Sequence, residues 1–187
     1  IEAKEMGFLI VNVVTNGTFT LDLPEANLIL LSLDGDKKHH NLIRGDTYDT
    51  IMKNIENAIQ LFENGYVCSQ AVFATFSQNL GLSEEQALKI GACFGRGMRK
   101  GEVCGACTGA LMALGLKYGD SKTKSNEVCE KFLDEFEKEN GSYICRELLN
   151  CDIRTEEGVK YALDNNIFKE FCPKMIESAT KITENYL

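Results

Sequence analysis

A mainly α-helical bundle with a small N-terminal antiparallel β meander, α+β overall, is the fold class that the 187-residue sequence predicts. Three observations predict it. Residues 8–33 carry β-branched and alternating runs broken by turn residues, the pattern from Asp46 onward repeats at helical spacing, and the polar stretch Asp34–His40 separates the two. The expected organisation is therefore a β segment over residues 1–45 and a cysteine-rich helical domain over 46–187.

The first strand is read in Phe8-Leu-Ile-Val-Asn-Val-Val14, the turn in Thr15-Asn16-Gly17, and the second strand in Thr18-Phe-Thr-Leu-Asp-Leu23. Pro24 interrupts, and Asn27-Leu-Ile-Leu-Leu-Ser-Leu33 supplies a third. A three-stranded meander cannot bury both faces by itself, so it is expected to pack on the rest of the chain or on a second copy.

Asp46 or Thr47 is expected to cap a first helix with Ile51, Ile55, Ala58, Ile59 and Phe62 on one stripe, ended by Asn64-Gly65. Cys68–Leu80 follows with Ala71, Val72 and Phe76, and Gly81 stops it. Ser83-Glu-Glu-Gln86 reads as a capping box for a third helix reaching Phe94. A helix from near Cys104 runs to Tyr118-Gly119, and another covers Asn126–Glu139 with Val128, Phe132, Leu133 and Phe136 inward. A short turn at Cys145–Leu149, a piece over Thr155–Asn165 and a last helix from Phe168, broken at Pro173, complete the bundle.

Composition narrows the function. A net charge of -8 repels phosphate backbones, so nucleic acid is not an expected partner. No apolar run approaches the 18 or so residues that cross a bilayer, so membrane insertion is not expected either. Near Ile1 no basic flank, apolar run and small-residue cleavage site follow one another. Eight cysteines are about 4% of the chain, below the roughly 8–10% of a disulfide scaffold, and a chain this long needs no covalent staples. Metal-binding or redox thiols in a reducing, cytoplasmic setting are the expectation. Self-association as a homodimer is expected on general frequency alone.

The cysteines sort by position. Cys93 and Cys129 fall inside helical patterns beside apolar neighbours and read as buried core thiols. Cys68, Cys104, Cys145 and Cys172 each fall at an expected helix start or break, where backbone amides and the helix dipole favour a thiolate. At about 0.3–1 kcal/mol per terminus the dipole cannot take a thiol far below its usual pKa alone. A bound cation could do so, and Arg96, Arg99 and Lys100 form a basic island that could offset the charge of a thiolate-held centre, or simply be solvated. Gly95-x-Gly97-x-x-x-Gly101 follows a helix rather than a strand, which argues against a phosphate loop. Cys104-Gly105-Ala106-Cys107 has redox-motif spacing, while His39 and His40 read as exposed linker residues.

Together, Gly65-Tyr-Val-Cys-Ser-Gln-Ala71, Gly101-Glu-Val-Cys-Gly-Ala-Cys-Thr-Gly-Ala110, Cys145-Arg-Glu-Leu-Leu149 and Cys172-Pro173 resemble the redox-active C_GCAxxG_C_C family. The resemblance covers roughly Thr47 to Leu187 and leaves the N-terminal segment unexplained. It implies a mostly helical redox protein whose CGAxxG motif is Cys104-Gly-Ala-Cys-Thr-Gly109 and whose defining cysteines are Cys68, Cys104, Cys145 and Cys172. Split-Soret cytochromes look related and carry haem and iron–sulfur, which implies cluster binding. The chain has no CxxCH, so haem is not carried over. Cys107 stands at a variable position of the motif, and Cys151 is a candidate substitute ligand.

Three readings follow. The four thiolates ligate a [2Fe–2S] or [4Fe–4S] cluster that passes single electrons to and from a redox partner protein. Alternatively, a pair such as Cys104 with Cys107, Cys145 or Cys172 cycles between dithiol and disulfide without metal. In the third, zinc holds the thiolates in a structural or interaction module. No catalytic acid, base or substrate pocket is legible, and an enzymatic role is left open. Ligands spread over distant helices need the tertiary fold to converge, so the four sulfurs are expected in one pocket with Cys93 and Cys129 outside it.

Overall fold

A computed structural model describes residues 12–15 and 28–31, Lys37, His40, Asn41 and residues 46–187. The chain falls into two units, Ile1–Thr50 and Ile51–Leu187.

In the first unit β1 (Asn12–Thr15) and β2 (Leu28–Leu31) pair in parallel, Asn12 opposite Leu28 and Thr15 opposite Leu31. The expected antiparallel meander is thus overturned. Among the described residues no antiparallel strand pair exists, and the fold is mainly helical. β-Branched content marks a segment as extended but says nothing of its partner or direction, which the ladder alone decides. The expected strand at Thr18–Leu23 lies outside the described residues, as does His39.

His40 also departs from expectation. It is 2% exposed, lies edge-on to Tyr48 with ring centroids 5.5 Å apart, and shares a 2.9 Å hydrogen bond with Thr47 Oγ1 through Nε2. Its neighbour Asn41, rather than Asp46 or Thr47, accepts the first amide of the following helix, from Tyr48 N–H at 3.2 Å.

From Tyr48 onward the chain is helical. α1 (Tyr48–Glu63) buries Ile51, Ile55, Ala58 and Leu61 along one stripe. Gly65, at φ 95°, closes its end. α2 (Cys68–Ser77) is the central helix, with every residue buried except Gln70. The chain then makes a turn at Gln78–Leu80, and α3 (Glu84–Gly91) starts from the expected Ser83 box, whose Oγ accepts from Gln86 N–H. α3 ends at Gly91, short of Phe94. At Gly91 the backbone presses on α2, and a β-carbon there would stand 3.1 Å from the Gln70 α-carbon.

After a wide turn at Gly97–Gly101 come α4 (Gly105–Tyr118), α5 (Lys122–Asn140), α6 (Cys145–Leu148), α7 (Glu156–Asp164) and α8 (Ile167–Glu184). α5 begins before the expected Asn126 because Ser121 accepts from Lys124 N–H and supplies its cap. α4 lies along α2, and α8 packs on α4 and α5. Val72, Phe76, Phe132, Phe136 and Ile176 fill the core between them.

α8 does not break at Pro173; the proline sits inside the helix. The ring removes one ladder amide, but the residues beyond it, Met175, Ile176, Ala179 and Ile182, are buried, and that packing keeps the axis continuous. Among the described residues no helix is long and apolar enough to cross a membrane.

Candidate functional site: a four-thiol cavity

Cys68, Cys104, Cys145 and Cys172 line one cavity of the helical unit, a void of about 20 Å³. Each arrives on a different element. Cys68 opens α2, Cys104 is the residue before α4, and Cys145 opens α6. Cys172 is not at a helix start as expected; it lies in the body of α8, where no terminal amides are available to it.

Local structure explains the convergence. Val103 and Ile144 form an isolated antiparallel bridge, with Cys104 N–H donating to Tyr143 O at 2.8 Å and Cys145 N–H to Glu102 O at 2.7 Å. That pairing sets Cys104 beside Cys145. Arg146 fastens it, donating to Gly101 O at 3.2 Å and to the Glu102 carboxylate at 2.7 Å. On the other side, Gly105 and Gly109 let α4 approach α2. A β-carbon on Gly105 would stand 3.0 Å from Cys68 Sγ, and one on Gly109 would stand 2.6 Å from Ser69 O. The glycines of the motif are therefore packing positions that bring two sulfurs together.

The rest of the wall is apolar except for Arg96. Leu148 and Leu149 follow Cys145 by three and four positions, Phe168 and Met175 share the Cys172 face of α8, and Phe171 beside Cys172 also lines the wall. These five were not singled out from the sequence, although for all but Phe171 an i±3 or i±4 spacing from the two cysteines was a usable signal. The guanidinium of Arg96 lies 4.8 Å above the Phe168 ring. Arg99 and Lys100, grouped with it as a basic island, are exposed and do not line the cavity.

The remaining cysteines divide clearly. Cys107 is fully buried but does not line the void. Cys151 is half-buried, its thiol 3.3 Å from Gly158 O. Cys129 is half-buried, and Cys93 is exposed, against the expectation of a core thiol. α3 ends before Cys93, so the helical periodicity that placed it inward does not reach it.

The thiols differ in acidity. A hydrogen bond from Cys172 holds the Cys68 thiol down at about 7; the amides of Arg96, Cys68 and Ser69 add to this, and burial opposes it. The same contact, then burial, pushes Cys172 far up. Burial raises Cys145, and the neighbouring Cys104 and Cys68 add to it. Cys107 is raised by burial and then by its hydrogen bond to Cys104. Cys68 and Cys172 thus behave as one pair holding one readily lost proton.

Fold and site define a helical protein whose chemistry is gathered in thiols rather than in carboxylates or histidines. A family model described as "Putative redox-active protein (C_GCAxxG_C_C)" matches residues 66–186, and the chain belongs to that family. No curated protein and no solved structure is found to match it.

Proposed function

We propose that this redox-active protein uses Cys68, Cys104, Cys145 and Cys172 to hold an iron–sulfur cluster and passes single electrons. The observation that carries the reading is the convergence of four thiols, from four separate elements, on one cavity whose other walls are apolar except for Arg96. The donor set suits such a centre: four sulfurs, no competing carboxylate in the wall, and a guanidinium to offset anionic charge. A bound cluster supplies reversible one-electron chemistry. The chain's own residues hold it, exclude water through Phe168, Phe171, Leu148 and Leu149, and lower the cost of thiolate charge through the helix-start amides at Cys68.

As they stand, no three His, Cys, Asp or Glu side chains among the described residues form a ready metal-binding group, and a void of about 20 Å³ has room for about one water. Taking up a cluster therefore requires the cavity to widen.

One observation favours a second reading. Cys68 and Cys172 line the same cavity, and the Cys68 thiol, held down at about 7, is the acidic member that attacks a disulfide. In that reading the pair gives up two electrons and two protons to a partner's disulfide, forming one S–S bond while the partner's bond opens to two thiols.

Anaerobic purification with iron, acid-labile sulfide and zinc counted per chain separates the readings. Stoichiometric iron and sulfide with visible absorption, lost in Cys104→Ser, is the expected result. A colourless, metal-free protein with a titratable Cys68–Cys172 disulfide would replace the cluster by thiol exchange, and stoichiometric zinc without colour would overturn both.

A further inference from the structure

Next to the thiol cavity lies an open concavity of about 400 Å³, lined by Arg96, Arg99, Ile153, Arg154, Val159 and Lys160 among others. Arg96 belongs to both walls, and among the described residues it is the charged side chain that lines the thiol cavity. Four cations face two carboxylates here, Glu156 and Asp164, in a chain whose net charge is -8. Arg154 is held by Asp152 at 2.8 and 2.9 Å, whereas Arg96, Arg99 and Lys160 make no ion pair among the described residues.

The backbone beneath is unusual. Arg96, Gly97, Met98 and Arg99 run consecutively at φ 55°, 59°, 54° and 62°. Left-handed conformation costs roughly 1–2 kcal/mol for each non-glycine residue, and it persists only where the surroundings fix it. Gly97 is fixed by close approach: a β-carbon there would stand 2.4 Å from Glu102 N. This turn carries Arg96 to the cavity wall and Arg99 to the groove.

We infer that the groove docks the acidic face of a protein that exchanges electrons with the thiol site. The inference rests on the redox reading above and names the partner's chemistry. Charge complementarity is the first support. At about 0.15 M salt the Debye length is about 8 Å, so the overall negative charge is screened while the groove's own cations act at contact. Composition is the second. Three of the groove's four cations are arginines, a residue type enriched at protein interfaces, and Leu163 on α7, 53% exposed, adds apolar surface to its wall. The partner loses the electron that the cysteine-held centre gains.

The test is binding of the full chain, by calorimetry at about 0.15 M salt, to three probes: flavodoxin and a ferredoxin as acidic carriers, and basic cytochrome c. At least one acidic carrier should bind and cytochrome c should not. Lys160→Glu and Arg99→Glu should each weaken binding about tenfold, with Lys138→Glu on α5 unchanged. Absence of binding to both acidic carriers overturns the proposal. Equal loss in Lys138→Glu also overturns it, because net charge rather than the groove would then be responsible. Inorganic pyrophosphate binding more tightly than either carrier overturns it in favour of a small-anion site. Reduction of the same samples by dithionite reports on the thiol site without docking, so failure there condemns the redox reading and not the groove.

Discussion

Gly105 rests its bare α-carbon against Cys68, where a β-carbon would stand 3.0 Å from the sulfur and 3.3 Å from Ser69 N. The glycine after the motif cysteine thus sets how closely a second site cysteine approaches. Gly105→Ala should displace the Cys68 thiol while leaving most of the fold intact, since its closest clash is with the end of a side chain. Slower or altered metal loading with little change in helical circular dichroism is the expected result.

Gly109 meets backbone instead, 2.6 Å from Ser69 O, and backbone cannot turn aside. Gly109→Ala should cost about 1–3 kcal/mol, as overpacking does, seen as a lower urea midpoint. An unchanged midpoint would mean that α2 and α4 can separate freely.

Phe132 and Phe136 are fully buried and stack with centroids 6.1 Å apart. Truncating Phe136 to alanine should cost about 3–5 kcal/mol, because it removes a fully buried ring and leaves a cavity in its place. Denaturant titration measures it.

Thiolate absorption against pH should show one site thiol of the metal-free protein ionising near 7. Cys172→Ala removes the donor hydrogen bond, so that step should move up toward the usual thiol range. The linkage has two signs. The lowered Cys68 contributes stability above the unfolded thiol pKa that is lost as pH falls through about 7; the raised Cys172 contributes stability that is lost as pH rises beyond the unfolded value. An ionisation near 7 that persists in Cys172→Ala would assign the early proton elsewhere.

Exposure predicts the order of chemical modification. Cys93 is the exposed cysteine, while Cys68, Cys104, Cys107, Cys145 and Cys172 are buried. A thiol reagent should label Cys93 first on the native, metal-free protein, and all eight cysteines only after unfolding. Cys93→Ser should abolish the fast phase and leave the site's metal content unchanged.

Helix positions were legible in the sequence wherever a cap and an apolar stripe agreed, as at Ser83 and along Ile51, Ile55 and Ala58. The motif likewise gave the family, because its pattern of glycines and cysteines is written in the linear sequence even though the contacts that those glycines serve are tertiary. Three features were not legible. The pairing of β1 with β2 depends on direction, which residue type does not encode. Cys172 and Pro173 looked like a helix start, since a local rule cannot see the packing that carries α8 through a proline. His40 looked like a linker residue because its burial comes from side chains that a linear reading cannot place.

By itself, then, the sequence determined the family and the helical character of the chain, and it singled out four separated cysteines in a family-specific pattern as the proposed ligands. Only the tertiary structure decided that these thiols share a wall with Arg96, that Cys107 is buried outside that wall, and that Cys172 holds the Cys68 thiol down. The reason is physical. Helix formation and capping are set within a few residues, whereas the distance between two sulfurs on α2 and α8 depends on how closely α2, α4 and α8 pack, and that is summed over every side chain between them.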